Sequence, residues 1–387
     1  MNVFTASRSL PNTRAFWSSR LRAAATAGVL ILLSIGEPVV ESATHEDVFS
    51  RRNVLVADAA KLRTTVVSPH LDVPLATNRN VVWCGSFQLT WNEACRVLGE
   101  DINFSGPDPA VAALNQHVFT GEQLDAASYV ALAGYVRDGI LGQIHKALAG
   151  KFGGAATPKL IPTSAQAARP DDLVAYAYLF KNLEFAHPFE RLLPMLFGRT
   201  HVECFGFEKG KPGVAPLLPQ VRIHDYKGTN DFVIELKTKS PLDRVILAKV
   251  APGETLAATI ASVQKRAAKV SAPAAGYDDT LKISKLNYDL TRQYREFEGR
   301  PLVLKNPLAP RDARITSAVQ NICFQMDEKG VVLRSESHHI MACSMPHEPH
   351  PEHIMIFDQP FLVLLQREGA AAPYFACWVG NADLLLR

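Results

Sequence analysis

The apolar positions of this chain change period about a third of the way along. Between residues 128 and 150, Tyr129, Leu132, Val136, Ile140, Ile144 and Leu148 recur at spacings of three and four. That spacing predicts one long amphipathic helix, ended at Gly150. Before it, the run 80–89 (NVVWCGSFQL) is apolar and partly β-branched and predicts a buried strand. TWNEACRVLG follows, with Thr90 as N-cap and Gly99 as stop, and predicts a short helix. Residues 103–128 read as helical fragments broken by SGPDP and TGEQ, and 46–79 as mixed or extended. After the flexible connection 151–170, the period shortens towards two. DLVAYAYLFKNLEF, THVECFGFE, QVRIHDYKGTNDFVIELKT and DRVILAKVAP predict strands, and YKGTND sits between two alternating runs as a hairpin turn. Residues 253–270 predict a helix with Leu256, Ile260 and Val263 on one face. Strands resume with LKISKLNYDL, AVQNICFQMDEKGVVLRSES, HIMIFDQPFLVLLQRE and PYFACWVGNADLLL. A mostly helical front and a strand-rich rear predict an α+β fold in one domain.

The first 43 residues stand apart. Arg14, Arg20 and Arg22 precede an apolar run from Ala23 to Ile35, too short to cross a bilayer but suited to the core of a signal peptide. The expected division is a signal peptide at 1–43 and a domain at 44–387, which implies a secreted or extracytoplasmic protein. An uncleaved anchor is the alternative. The whole chain carries a net charge of +3, and without that segment about +1. Such near neutrality implies no nucleic-acid partner and, after cleavage, no membrane partner.

Six cysteines, at 84, 95, 204, 323, 343 and 377, are scattered with no CxxC pair. Compact zinc-knuckle spacing is absent, and both disulfides and buried free thiols fit. No GxSxG elbow, P-loop, HExxH or GxGxxG after a strand is present, so an enzyme is not expected. Trp83 and Trp91 read as core residues.

The stretch HHIMACSMPHEPHPEH, 338–353, gathers five of the twelve histidines. His347, His350 and His353 recur every third residue between prolines, which favours polyproline II. Successive imidazoles would then lie about 9 Å apart along one edge, too far for three ligands on one ion without bending. Two of them, with Cys343, His338 or His339, could still hold zinc or copper. A solvated loop with incidental histidines is the plainer reading, and no cofactor is expected.

Five segments in order resemble the serpins. SYVALAGYVRDGILGQIHKAL is similar to the helix those proteins lay across their main sheet, and LVAYAYLFKNLEFAHPFE to the central strand. VRIHDYKGTNDFVIEL resembles a hairpin in which Tyr226, Lys227 and Gly228 match. AVQNICFQMDEKGVVL is similar to the strand entering the reactive loop, with Glu328 and Gly330 matching. The last segment, from Ile354, resembles the C-terminal hairpin through Asp358, Pro360, Phe361, Gly380 and Asn381. The resemblance covers about residues 128 to 387. It implies a serpin-like α+β fold of large, mostly antiparallel sheets with a helical N-terminal layer. That front is shortened, because only about fifty residues separate the first core segment from the crossing helix.

The resemblance implies a serine-type protease inhibitor family, a monomer, and a target protease as partner. In that family a cleaved loop enters the main sheet as a new strand. The implied hinge is Glu328, Gly330, Val331, Leu333 and Ser335, and the scissile region Cys343, Ser344 and Met345. Insertion needs alternate residues facing the core. Val331, Leu333, Ser335 and Ser337 would form one face, and Val332, Arg334, Glu336 and His338 the other. The usual run of small residues is missing, which points to a non-inhibitory serpin-like role. The alternative is a secreted binding or structural module carrying a His-rich metal-binding loop.

Overall fold

A computed structural model describes residues 54–76, 78–153, 169–268, 272–307, 309, 313–333 and 352–387. The expected signal segment and most of the histidine loop therefore lie outside the described residues. In chain order the strands and helices are β1 (Leu55–Asp58), β2 (Thr65–Ser68), β3 (Asn80–Cys84), α1 (Ser86–Leu98), α2 (Pro109–Leu114) and β4 (Tyr129–Tyr135). Then come α3 (Ile140–Phe152), β5 (Leu173–Leu179), β6 (Lys181–Glu184), β7 (Glu190–Phe197), β8 (Thr200–Phe207), β9 (Val221–Gly228) and β10 (Asp231–Leu236). The rear part holds β11 (Asp243–Lys249), α4 (Leu256–Ala267), β12 (Thr280–Ser284), β13 (Leu286–Gln293), β14 (Val319–Asp327) and β15 (Gly330–Leu333). The chain closes with β16 (Ile354–Ile356), β17 (Phe361–Arg367) and β18 (Phe375–Val379). The class is α+β.

Three sheets and a two-stranded ribbon form. The largest runs β2-β3-β18-β17-β11-β10-β9, the second β1-β13-β14-β15-β6, the third β16-β12-β8-β7, and β4 pairs with β5. Among the described strands, only the β1–β13, β2–β3 and β12–β16 pairs are parallel. Continuous apolar runs such as FACWV in β18 and NVVWC in β3 are buried at every position, as central strands covered on both faces require. The β9–β10 hairpin closes through Thr229 and Asn230, with Gly228 opposite Asp231. This is the turn expected from YKGTND.

The expected long helix over 129–148 is corrected in its first half. Tyr129 to Tyr135 is strand β4, paired residue by residue with β5. Gly139, at φ 75°, then turns the chain into α3. Such a left-handed backbone suits glycine. Spacing alone fits strand or helix over so short a stretch, and pairing with residues about forty to fifty positions away decides it. In α3 the face Ile140, Ile144 and Leu148 is buried as expected and packs with Val130 and Tyr176. Strand β5 alternates accordingly: Val174 and Tyr178 face α3, whereas Leu173 and Ala175 face the cluster around α1, Phe297 and Tyr294.

Two boundaries also shift. Helix α1 starts at Ser86, so Thr90 is an interior residue whose Oγ1 donates to Ser86 O at 2.9 Å, not an N-cap. The segment LKISKLNYDL divides at Lys285 into β12 and β13, which belong to different sheets.

One core joins the three large sheets. Phe324 of β14 stacks on Phe375 of β18 with centroids 4.4 Å apart and planes at 13°, linking the five-stranded and seven-stranded sheets. Both rings are fully buried. Phe324→Ala is expected to lower unfolding free energy by about 3–5 kcal/mol, measured by denaturant titration. A loss below about 1 kcal/mol would show that this stack does not join the sheets.

Candidate functional site at the head of the five-stranded sheet

The hinge residues expected from the sequence meet where β14 turns back into β15. Asp327 pairs with Gly330 across the two-residue turn Glu328–Lys329, and Lys329 N donates to Asp327 Oδ1 at 2.8 Å. The segment after β6 holds the turn from the other side. Phe185 N donates to Lys329 O at 3.0 Å, and Phe189 N to Glu328 O at 2.7 Å. Strand β15 is thus paired on both edges, antiparallel to β14 at 325–327 and to β6 at 181–184.

Each position has a local reason. A Cβ on Gly330 would lie 2.6 Å from Leu183 O and 2.8 Å from Glu184 Cα. Both are backbone atoms that cannot yield, so the close approach of β6 requires glycine. Val331 is fully buried and Val332 half-buried. Leu333 pairs with Lys181. Ser335, Cys343, Ser344, Met345, His347 and His350 lie outside the described residues.

Glu328 is nearly buried, yet charged. Its Oε2 lies 2.8 Å from Lys285 Nζ, and both side chains are only 7% exposed. Oε1 accepts from Arg191 Nε. Lys285 also pairs with Glu203 Oε2 at 3.2 Å. Burial pushes the Glu328 carboxyl up, but Lys285, its own backbone N–H and Arg191 together hold it below the usual carboxylate range. At the far end of β15, Lys181 Nζ sits 2.9 Å from Asp243 Oδ1. Asp243 also accepts from Ser240 Oγ at 2.7 Å and Tyr374 OH at 3.1 Å. Strand β15 is framed by two buried ion pairs.

A third cationic anchor lies where the chain returns. Lys249 Nζ donates to Ile356 O at 2.9 Å and Asp358 Oδ1 at 2.6 Å. Just upstream, His353 donates its backbone N–H to Asp279 Oδ1 at 2.7 Å, and its Nδ1 lies 3.0 Å from the same oxygen. Its ring meets Tyr226 edge-on at 4.7 Å. Of the three histidines offered as metal ligands, the one described is therefore engaged in holding an edge strand. Among the described residues no cluster of three His, Cys, Asp or Glu is placed to hold a metal.

Sequence reasoning missed a further charge cluster. Glu235 of β10, 2% exposed, receives His224 Nε2 at 2.9 Å, Arg244 Nη2 at 2.7 Å and Lys237 Nζ at 2.7 Å. Burial raises its carboxyl, but His224, Lys237 and Arg244 outweigh that and bring it to about 2. The signal was partial: Glu235 interrupts the apolar run FVIEL of β10, and His224 and Arg244 stand beside apolar residues in β9 and β11. The cluster neutralises charge and presents no nucleophile. The thiols of Cys84, Cys95, Cys204 and Cys377 are free. Burial raises all four, Cys95 to about 11 and Cys377 to about 12, which makes them poor nucleophiles.

No protein-family profile matches the chain, and no curated protein sequence matches it. Solved structures do resemble it. Human thyroxine-binding globulin in complex with thyroxine has a TM-score of 0.42 at 12% identity, over 79% of this chain and 92% of that one. A second thyroxine-binding globulin complex has 0.42 at 14%, over 79% and 93%. Serpin48 of the insect Tenebrio molitor has 0.41 at 12%, over 78% and 92%.

Two outcomes follow from the buried charges. Glu328→Gln leaves Lys285 buried with only the partly exposed Glu203, and is expected to cost about 2–4 kcal/mol in denaturant unfolding. The double variant Glu328→Gln, Lys285→Met should recover more than half of that loss. If the double variant is worse than the single one, the pair is not what makes the loss. For pH, Glu235 and Glu328 both have folded values below the ordinary 4.5. Their stabilisation is complete above that value and is lost as pH falls towards about 2 for Glu235. That loss amounts to about 3 kcal/mol for Glu235. Stability curves against pH should therefore fall less steeply in acid for Glu235→Gln than for the wild type.

Proposed function

We propose that the protein is an exported serpin-like protein whose hinge is already a sheet strand, and that it binds or presents rather than traps a protease. The supporting observation is β15, paired with β14 from Gly330 to Val332 and with β6 from Gly330 to Leu333. A trap driven by strand insertion stores its energy in a hinge that has yet to enter the sheet. Here the first four positions are already paired and pinned by Lys285 and Lys181. Val-Val-Leu-Arg in place of small residues supports the same reading. Export is inferred from residues 1–43, the loop 338–353 is the inferred contact surface, and a protease or a small ligand is the inferred partner.

Inhibition by further insertion is the second reading, and one observation favours it. Among the described residues, no strand pairs with β14 on its β15 side over 319–322. None pairs with β5 on the edge away from β4 over 173–177. In the register of β15, residues 335–338 would face 322–319. The metal reading has less support, because His353 is committed to Asp279.

Incubation with a panel of serine and cysteine proteases separates these readings. The binding role expects cleavage within 338–353, no SDS-stable complex, and a thermal midpoint that stays within about 2 °C, or about 1.5 kcal/mol for a domain of this size. An SDS-stable complex together with a large rise in midpoint after cleavage would replace it by inhibition.

A further inference from the structure

Asn103-Phe104-Ser105 is the one Asn-X-Ser/Thr triplet in the 387 residues, and neither Phe104 nor the following Gly106 is proline. An acceptor of this kind carries an N-linked glycan when its chain is exported and the asparagine stands at the surface. The triplet lies between α1 and α2 in an extended segment. Phe104 bridges Leu302 antiparallel, and Val303 N donates to Asn103 O at 2.8 Å. Side chains alternate along such a segment. Ile102 and Phe104 point into the cluster around α1, where the Arg300 guanidinium lies 4.0 Å over the Phe104 ring. Asn103 and Ser105 consequently share the opposite, solvent-facing side, and both are exposed.

We infer that Asn103 is a site of N-linked glycosylation. The inference rests on the export reading above. In the transfer, Asn103 Nδ2 forms a bond to the anomeric carbon of an oligosaccharide carried on a lipid pyrophosphate. Nδ2 gives up one proton, and the lipid pyrophosphate departs with the electron pair of the broken C–O bond. Folding accommodates the product. The Asn103 amide spends one N–H on Asp101 O at 3.1 Å, and a glycosylated amide keeps one N–H for that contact. The sugar would project beside Val303, a large apolar side chain left 49% exposed on the adjoining segment, and would shield it from other molecules.

The test produces the full chain in a eukaryotic secretory host twice, once as it stands and once behind an unrelated cleavable leader. The medium and the membrane-enclosed fraction are both treated with peptide N-glycosidase F. The expected result is a mobility shift of one glycan lost on treatment, with position 103 then read as aspartate by peptide mapping. Asn103→Gln and Ser105→Ala should abolish the shift, and Ser105→Thr should keep it. Leader-driven protein in which Asn103 is unmodified would overturn the site. If the leader form is glycosylated while the chain alone stays in the cytosol unmodified, the site stands and the export reading fails.

Discussion

The ion pair between Lys285 and Glu328 governs how the sheets meet. Lys285 is the residue at which the chain leaves β12 in the four-stranded sheet and enters β13 in the five-stranded one. Its backbone is held on both sides, its N–H donating to Glu203 O and its carbonyl accepting from Leu386 N. Glu328 is the turn from β14 into β15. One contact therefore ties a crossover between sheets to the point where β15 begins. A buried pair adds little net stability over an apolar one of similar volume, but an unmatched partner is costly. Alternative placements of the turn would leave the buried Lys285 with only the partly exposed Glu203, so the pair acts as a positional constraint on β15.

The same solution appears at three places along the path of the loop. Lys285 serves the entry of β15, Lys181 its far end, and Lys249 the return at Asp358. Each ammonium is nearly buried and faces a carboxylate. A flexible four-carbon stem suits this role, since it carries a compact charge across an apolar layer to a carboxylate on another strand. Between these anchors β15 is held by backbone bonds on both edges and by the fully buried side chain of Val331.

Much of the strand architecture was legible in the sequence. The apolar runs of β17 and β18 announced strands, and Thr229-Asn230 between alternating runs announced a hairpin. Glu328, Gly330 and Val331 stood out through their order after a β14-like strand. What sequence could not supply was pairing at a distance. Tyr129 to Tyr135 has spacings compatible with a helix, and only its partner β5 makes it a strand. The charge on Glu328 could be seen, but Lys285, forty-three positions earlier, could not be assigned to it. Likewise His353 reads as a metal ligand beside His347 and His350 until Asp279 is brought against it by the β12–β16 pairing.

The placement of β17 and β18 also determines what a cut in the chain can do. They occupy the interior of the seven-stranded sheet, with β11 on one flank and β3 on the other, and every residue of β18 is buried. The segment carrying them begins only after the histidine-rich stretch. A protein nicked in that stretch therefore becomes a two-chain particle whose short C-terminal piece stays threaded through its core. Such a particle keeps the size of the intact protein in native chromatography and separates into two polypeptides only when it is unfolded.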